Sequence, residues 1–207
     1  MIDILLSTNT FKKILSYALV LCIAIVISCR GKHQNKLWGN ATIDSAISNN
    51  IIYQQLDQEK EVSSVLDIQD TLAKRTSGVA YFTKGHVNLS DSSSARLNNC
   101  RAYFSNGEIL TINIGIGDGF GGWGFVINFK NGMFYTEPYY STDVDDPEDP
   151  APVFNVAYQK LALNKATYER GDSLYGNIDF KCTEIDQHGN EISHNGSGYF
   201  RTVIGER

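Results

Sequence analysis

The chain has 207 residues, a net charge of −5, and 42% hydrophobic against 20% charged residues. That balance excludes a disordered chain, and the length fits one domain with a short extra segment. An acidic chain with no Lys/Arg stripe is also a poor partner for nucleic acid, or for a lipid surface held by charge. Abundant glycine and aromatic residues with only four prolines suit short strands joined by tight turns.

Near the start, Lys12 and Lys13 precede Ile14 to Ile27, which is apolar except for Ser16, Tyr17 and Cys22. About 14 residues fall short of the roughly 20 needed to cross ~30 Å of hydrocarbon, so the stretch reads as a signal-peptide core. A single-pass anchor and an unlipidated secretory leader are the alternatives. The run ends at Val26-Ile27-Ser28-Cys29, which resembles the lipobox of bacterial lipoproteins, with Val26 where Leu is usual. The resemblance implies cleavage after Ser28 and lipidation of Cys29. Each buried acyl CH₂ would contribute about 0.8 kcal/mol to membrane attachment. Arg30 is not the Asp that retains such proteins in the inner membrane, so the resemblance implies the outer membrane. The basic run from Arg30 to Lys36 favours its periplasmic face over the cell surface. Loss of residues 1–28 removes Lys12, Lys13 and Asp3, leaving 16 basic and 22 acidic residues.

Residues 29–77 read as a tether and a partly helical segment. Arg30 to Asn40 is polar, and Ile43, Ile47, Ile51 and Leu56 then recur at near-helical spacing, predicting a marginal helix over 43–60. From Gly78 the period becomes two. Strands are expected at Val79–Phe82, His86–Leu89 and Asn99–Phe104, followed by an Asn106-Gly107 hairpin turn. Leu110, Ile112, Ile114 and Ile116 share one face of the next strand; Phe125, Ile127 and Phe129 repeat the pattern before a second turn at Asn131-Gly132. Residues 141–152 read as an acidic loop. Phe154 to Leu163 is a strand with a bulge expected near Gln159, where the apolar parity switches. Leu174 to Ile185 and Tyr199 to Ile204 complete residues 78–207 as an antiparallel β-sandwich or small barrel of about eight to ten strands. The block from Tyr158 through Gly171-Asp-Ser-Leu-Tyr-Gly-Asn to Gly198-Tyr-Phe-Arg resembles domains of uncharacterised Bacteroidetes lipoproteins. That resemblance carries no activity with it.

Cys100 and Cys182 share parity with core residues and are candidates for a disulfide in an oxidising compartment, the alternative being two buried thiols. The Gly-rich run Gly115 to Gly124 has no Gly-Lys-Ser/Thr and leads into a strand, which excludes a phosphate loop. Within it, Asp118, Phe120 and Trp123 form a candidate ligand platform. Asp143, Asp145, Asp146, Glu148 and Asp149 are dense enough in carboxylates for Ca²⁺, the one cofactor the chain suggests, but lack the EF-hand spacing. His188 and His194 flank a turn and read as solvent-exposed. If the source is a Bacteroidetes species, Ser45, Thr71 and Ser173 resemble its O-glycosylation acceptors, each following an Asp and preceding an apolar residue. No clustered Ser/His/Cys machinery is evident. The sequence therefore points to a lipid-anchored, non-enzymatic module for a protein or glycan partner. A hydrolase, an enzyme-inhibitor domain and a structural component of an envelope complex are the alternatives.

Overall fold

The structure is a computed structural model, and it describes residues 37–61, 73–85, 98–117, 121–142 and 151–206. The described chain is mainly β, as expected. Its strands are β1 (Gly39–Asn40), β2 (Thr42–Ile43), β3 (Ala80–Lys84), β4 (Asn99–Ser105), β5 (Ile109–Gly117), β6 (Gly121–Lys130), β7 (Met133–Thr142), β8 (Val153–Leu163), β9 (Ser173–Ile185) and β10 (Glu191–Gly205). Of the expected helix over 43–60 there remain a 3₁₀ turn, Ile47–Asn49, and one short helix, α1 (Ile51–Leu56), capped by Asn50 Oδ1 accepting from Ile52 N. Asn49 and Asn50 break the helix that the isoleucine spacing suggested, because short polar side chains bond the local backbone in competing geometries. The strand expected at 86–89 lies outside the described residues.

All ten strands belong to one sheet, ordered β1-β7-β6-β5-β4-β10-β9-β8-β2, with β3 added against β10. The sheet is mixed and not purely antiparallel: β10 runs parallel to β4 at Ile204↔Ala102, and β2 runs parallel to β8. The sequence could not show this, since side-chain alternation is the same in both directions.

The ends of that order meet, so the sheet rolls into a small barrel. β1 pairs with β7 and β2 with β8, and only Ala41 separates β1 from β2. Residues 39–43, read from sequence as the end of a tether running into a marginal helix at Ile43, are thus the seam of the barrel. Gln159 on β8 completes it: its Oε1 accepts from Thr136 N of β7 at 3.0 Å and its Nε2 donates to Leu37 O at 2.8 Å. A glutamine side chain here replaces the backbone ladder that β7 and β8 do not form. Pro138, lacking an N–H, is tolerated within β7 because its ladder to β6 leaves the other edge of the strand to this seam.

Inside the barrel the alternating residues form a single core. Ile112, Ile114, Phe125, Ile127 and Phe134 from one part of the sheet meet Leu163, Leu174, Ile178 and Phe200 from the other, all fully buried. Asn106-Gly107 and Asn131-Gly132 form the expected two-residue turns, with φ of 50° and 77° in the first and 52° and 77° in the second, as type I′ requires. The bulge in β8 lies between Val156 and Tyr158, two residues before the expected place.

Outside the barrel, α1 and the segments 57–61 and 73–77 dock on β4 and β10 through charge. Arg101 makes a bidentate pair with Glu61 at 2.5 Å, and Arg201 donates to Asp57 at 2.8 Å. The Arg201 guanidinium, with Lys74, holds the Asp57 carboxyl below its usual 3.8. Asp172 beside Lys165 and Glu108 beside Lys130 are lowered in the same sense. A depressed carboxylate stabilises the fold fully above its unfolded value and loses that contribution as pH falls through the folded value. Thermal unfolding between pH 7 and pH 2 is therefore expected to show a midpoint constant down to about pH 4 and falling below it.

Candidate functional site

Several sequence candidates lie outside the described residues: Cys29, Thr71, Asp118, Phe120, and the acidic set Asp143, Asp145, Asp146, Glu148 and Asp149. Among the described residues no group of three or more His, Cys, Asp or Glu side chains is placed to hold a metal ion. No described helix is long and apolar enough to cross a membrane. Ser45 is exposed in the turn before Ile47, and Ser173 is exposed at the start of β9.

Cys100 and Cys182 are both buried and both free, which corrects the expected bridge. The register explains why. Cys182 pairs with His194 of β10, whereas Ala102, two residues beyond Cys100, pairs with Ile204 of the same strand. The two thiols are therefore offset by about eight residues along β10, roughly 26 Å of extended strand, against the ~7 Å Cα separation a disulfide tolerates. Burial pushes the Cys182 thiol up to about 12, with the Glu184 carboxylate adding to the effect, and raises Cys100 as well. Burial thus disfavours the thiolate form of both.

Trp123 faces inward and packs on Tyr81, ring centroids 5.6 Å apart, so it closes the core instead of presenting a free platform. His188 is exposed in the β9–β10 turn, as expected. His194 is not: it is 3% exposed within β10, on the inward face between Ile192 and Gly196. Its Nδ1 lies 2.9 Å from Tyr81 Oη and its Nε2 2.8 Å from a Glu184 oxygen. The three side chains tie β3, β10 and β9 together inside the barrel. With Glu184 ionised, Nε2 donates to it and Nδ1 accepts the Tyr81 hydroxyl proton, so both ring nitrogens are satisfied. Burial raises the Tyr81 phenol well above its usual value. The arrangement resembles a catalytic triad in connectivity only, since its terminal hydroxyl belongs to a buried tyrosine, 3% exposed. Sequence reading missed it because Ser193, Asn195 and Ser197, the outward residues, masked the strand that carries His194.

The outer face of β4–β7 is different in character. Tyr139 of β7 pairs with Gly124 of β6, which pairs with Gly115 of β5. Its ring lies down across both glycines: a Cβ built on Gly115 would stand 2.3 Å from Tyr139 Oη. That hydroxyl donates to Asn113 Oδ1 at 3.0 Å, which fixes the ring in place. Partial burial raises the phenol above its usual value, so it remains a neutral donor. Asn128 follows on the same face, its Oδ1 accepting from Thr111 Oγ1 at 3.2 Å. The Asn113 amide thus keeps its N–H donors to spare beside a flat aromatic ring, and Asn128 lies further along the same face. At the seam Trp38 meets Tyr135 edge to face at 4.6 Å. The glycine run matters here not for a loop but because Cβ-free positions let a tyrosine lie flat.

No family profile, no curated protein and no solved structure matches the chain.

Proposed function

We propose that this protein is a lipid-anchored module of the cell envelope, held by Cys29 at the periplasmic face of the outer membrane, whose β-barrel binds a glycan without catalysing a reaction on it. The anchor rests on the leader and its lipobox. The binding reading rests on one observation above all, the Tyr139 ring laid flat over Gly115 and Gly124 with the Asn113 amide beside it. A sugar presents a flat C–H face and a rim of hydroxyls; a flat aromatic ring with neighbouring amides matches both. The closed state of the Tyr81–His194–Glu184 relay and the raised thiols favour binding over catalysis. The full chain in detergent, applied to an array of bacterial and host glycans, is expected to bind a subset of them. Tyr139→Ala is expected to weaken that binding about tenfold or more, measured well below the variant's own unfolding midpoint. Binding that is indifferent to Tyr139 would remove this face from consideration. In cells, Cys29→Ala is expected to abolish incorporation of labelled palmitate.

A further inference from the structure

A groove of about 360 Å³ lies between the 3₁₀ turn and the outer surface of β8–β10, lined by Asp44, Ile47, Asn49, Asn50, Asn177 and Tyr199, among others. It shares no residue with the Tyr139 face on β5–β7. Its polar side chains share one property. Three of them are each anchored through one atom: Asp44 Oδ1 accepts from Ala46 N, Asn50 Oδ1 accepts from Ile52 N, and Asn177 Nδ2 donates to Gly198 O, each at 3.0 Å. The other polar atom of each takes no partner among the described residues, and neither do the Asn49 amide or the Tyr199 hydroxyl. The Tyr199 ring is itself held edge to face by Tyr53, centroids 6.1 Å apart. The groove therefore carries open donors on Asn50 and Tyr199 and open acceptors on Asp44 and Asn177, all on held side chains, with the unanchored Asn49 amide at its exposed edge. Ile47 is buried there and Ala162 is beside it, so the lining also has an apolar part.

The lining contains no Lys, Arg or His, which argues against a phosphate, sulfate or carboxylate ligand. Mixed donors and acceptors over an apolar patch with one aromatic ring suit a neutral polyol. The volume is at the low end for small-molecule sites and fits a single ring more readily than an extended chain. We propose that this groove is a binding subsite for one neutral sugar residue, separate from the glycan face on β4–β7. Side chains held by one atom and open at the other lose little rotamer freedom on binding, so their hydrogen bonds contribute nearly in full.

The test is saturation-transfer NMR on the full chain in detergent, with methyl α-glucoside, methyl α-mannoside, methyl β-galactoside and N-acetylglucosamine each at roughly 10 mM, above a Kd of about 1 mM. At least one is expected to receive saturation. Asn177→Ala is expected to weaken it about tenfold. Asn49→Ala is expected to weaken it too, and its side chain makes no internal bond, so the fold is not at stake. Each measurement is repeated in the Tyr139→Ala background, where the other face no longer contributes, and the transfer that remains there is expected to be the part that the two asparagine substitutions abolish. Absence of transfer to all four sugars overturns the proposal, as does transfer that survives both asparagine substitutions in that background. Transfer lost only in Tyr139→Ala also overturns it and assigns the sugar to the other face.

Discussion

His194→Ala is expected to destabilise the protein by about 3–5 kcal/mol, from the cavity it leaves together with the buried carboxylate and hydroxyl left without a partner. The Glu184 side chain is only 16% exposed and that of His194 4%, so removing the imidazole leaves a largely buried carboxylate without its partner and the Tyr81 hydroxyl without its acceptor. For a domain of this length the melting temperature should fall on the order of 10 °C. Two controls separate the charge from the packing. Tyr81→Phe removes one neutral hydrogen bond and should cost about 1 kcal/mol. The double variant His194→Leu with Glu184→Leu removes both polar partners and should recover most of the loss. A single His194→Ala that melts within 2 °C or so of the wild type would show that the relay is not carrying a buried charge.

Gly196→Ala and Gly176→Ala are expected to cost about 1–3 kcal/mol each through overpacking, although both remove a glycine from a strand interior where alanine is ordinarily preferred. Gly196 pairs with Phe180 and Gly176 with Phe200 in the β9–β10 ladder. A Cβ on Gly196 would stand 2.2 Å from Phe180 Cε1, and one on Gly176 2.3 Å from Phe200 Cζ, with Leu163 at 3.0 Å behind it. Both rings are essentially fully buried, so neither can move aside. Phe180→Leu should cost less in the Gly196→Ala background than alone, because the smaller side chain relieves the clash. Denaturant unfolding of the four variants in that cycle measures the coupling directly. Additive costs would mean that ring and glycine are not in contact. Across β9 and β10 an aromatic ring fills the place of a missing side chain one strand away inside the barrel, and across β5–β7 one does so two strands away outside it.

Much of the barrel was legible from local pattern. The alternation through Leu110–Ile116 and Phe125–Phe129, with Asn-Gly turns on either side, specifies β4–β7 because strand facing and turn geometry depend on residues a few positions apart. What lies over Gly115 and Gly124 was not legible, since Tyr139 reaches them only through pairing. The cysteines show the same boundary. Parity correctly places Cys100 and Cys182 in the core, but their offset along β10 follows from the register of three strands. The N-terminal half of β10 was hidden because its outward Ser and Asn side chains read as loop.

By itself, then, the sequence determined the mainly β class, most strand faces and both hairpin turns, all consequences of backbone and side-chain preferences that act over a few residues. Only the tertiary structure decided that residues 39–43 close the barrel, that β10 runs parallel to β4, and that His194 is buried between Tyr81 and Glu184. Those features join groups far apart in the chain, His194 and Tyr81 being 113 residues from each other. Two-residue strands and single buried histidines carry no periodicity of their own. Their positions follow from how a rolled sheet satisfies its edges and its buried polar groups.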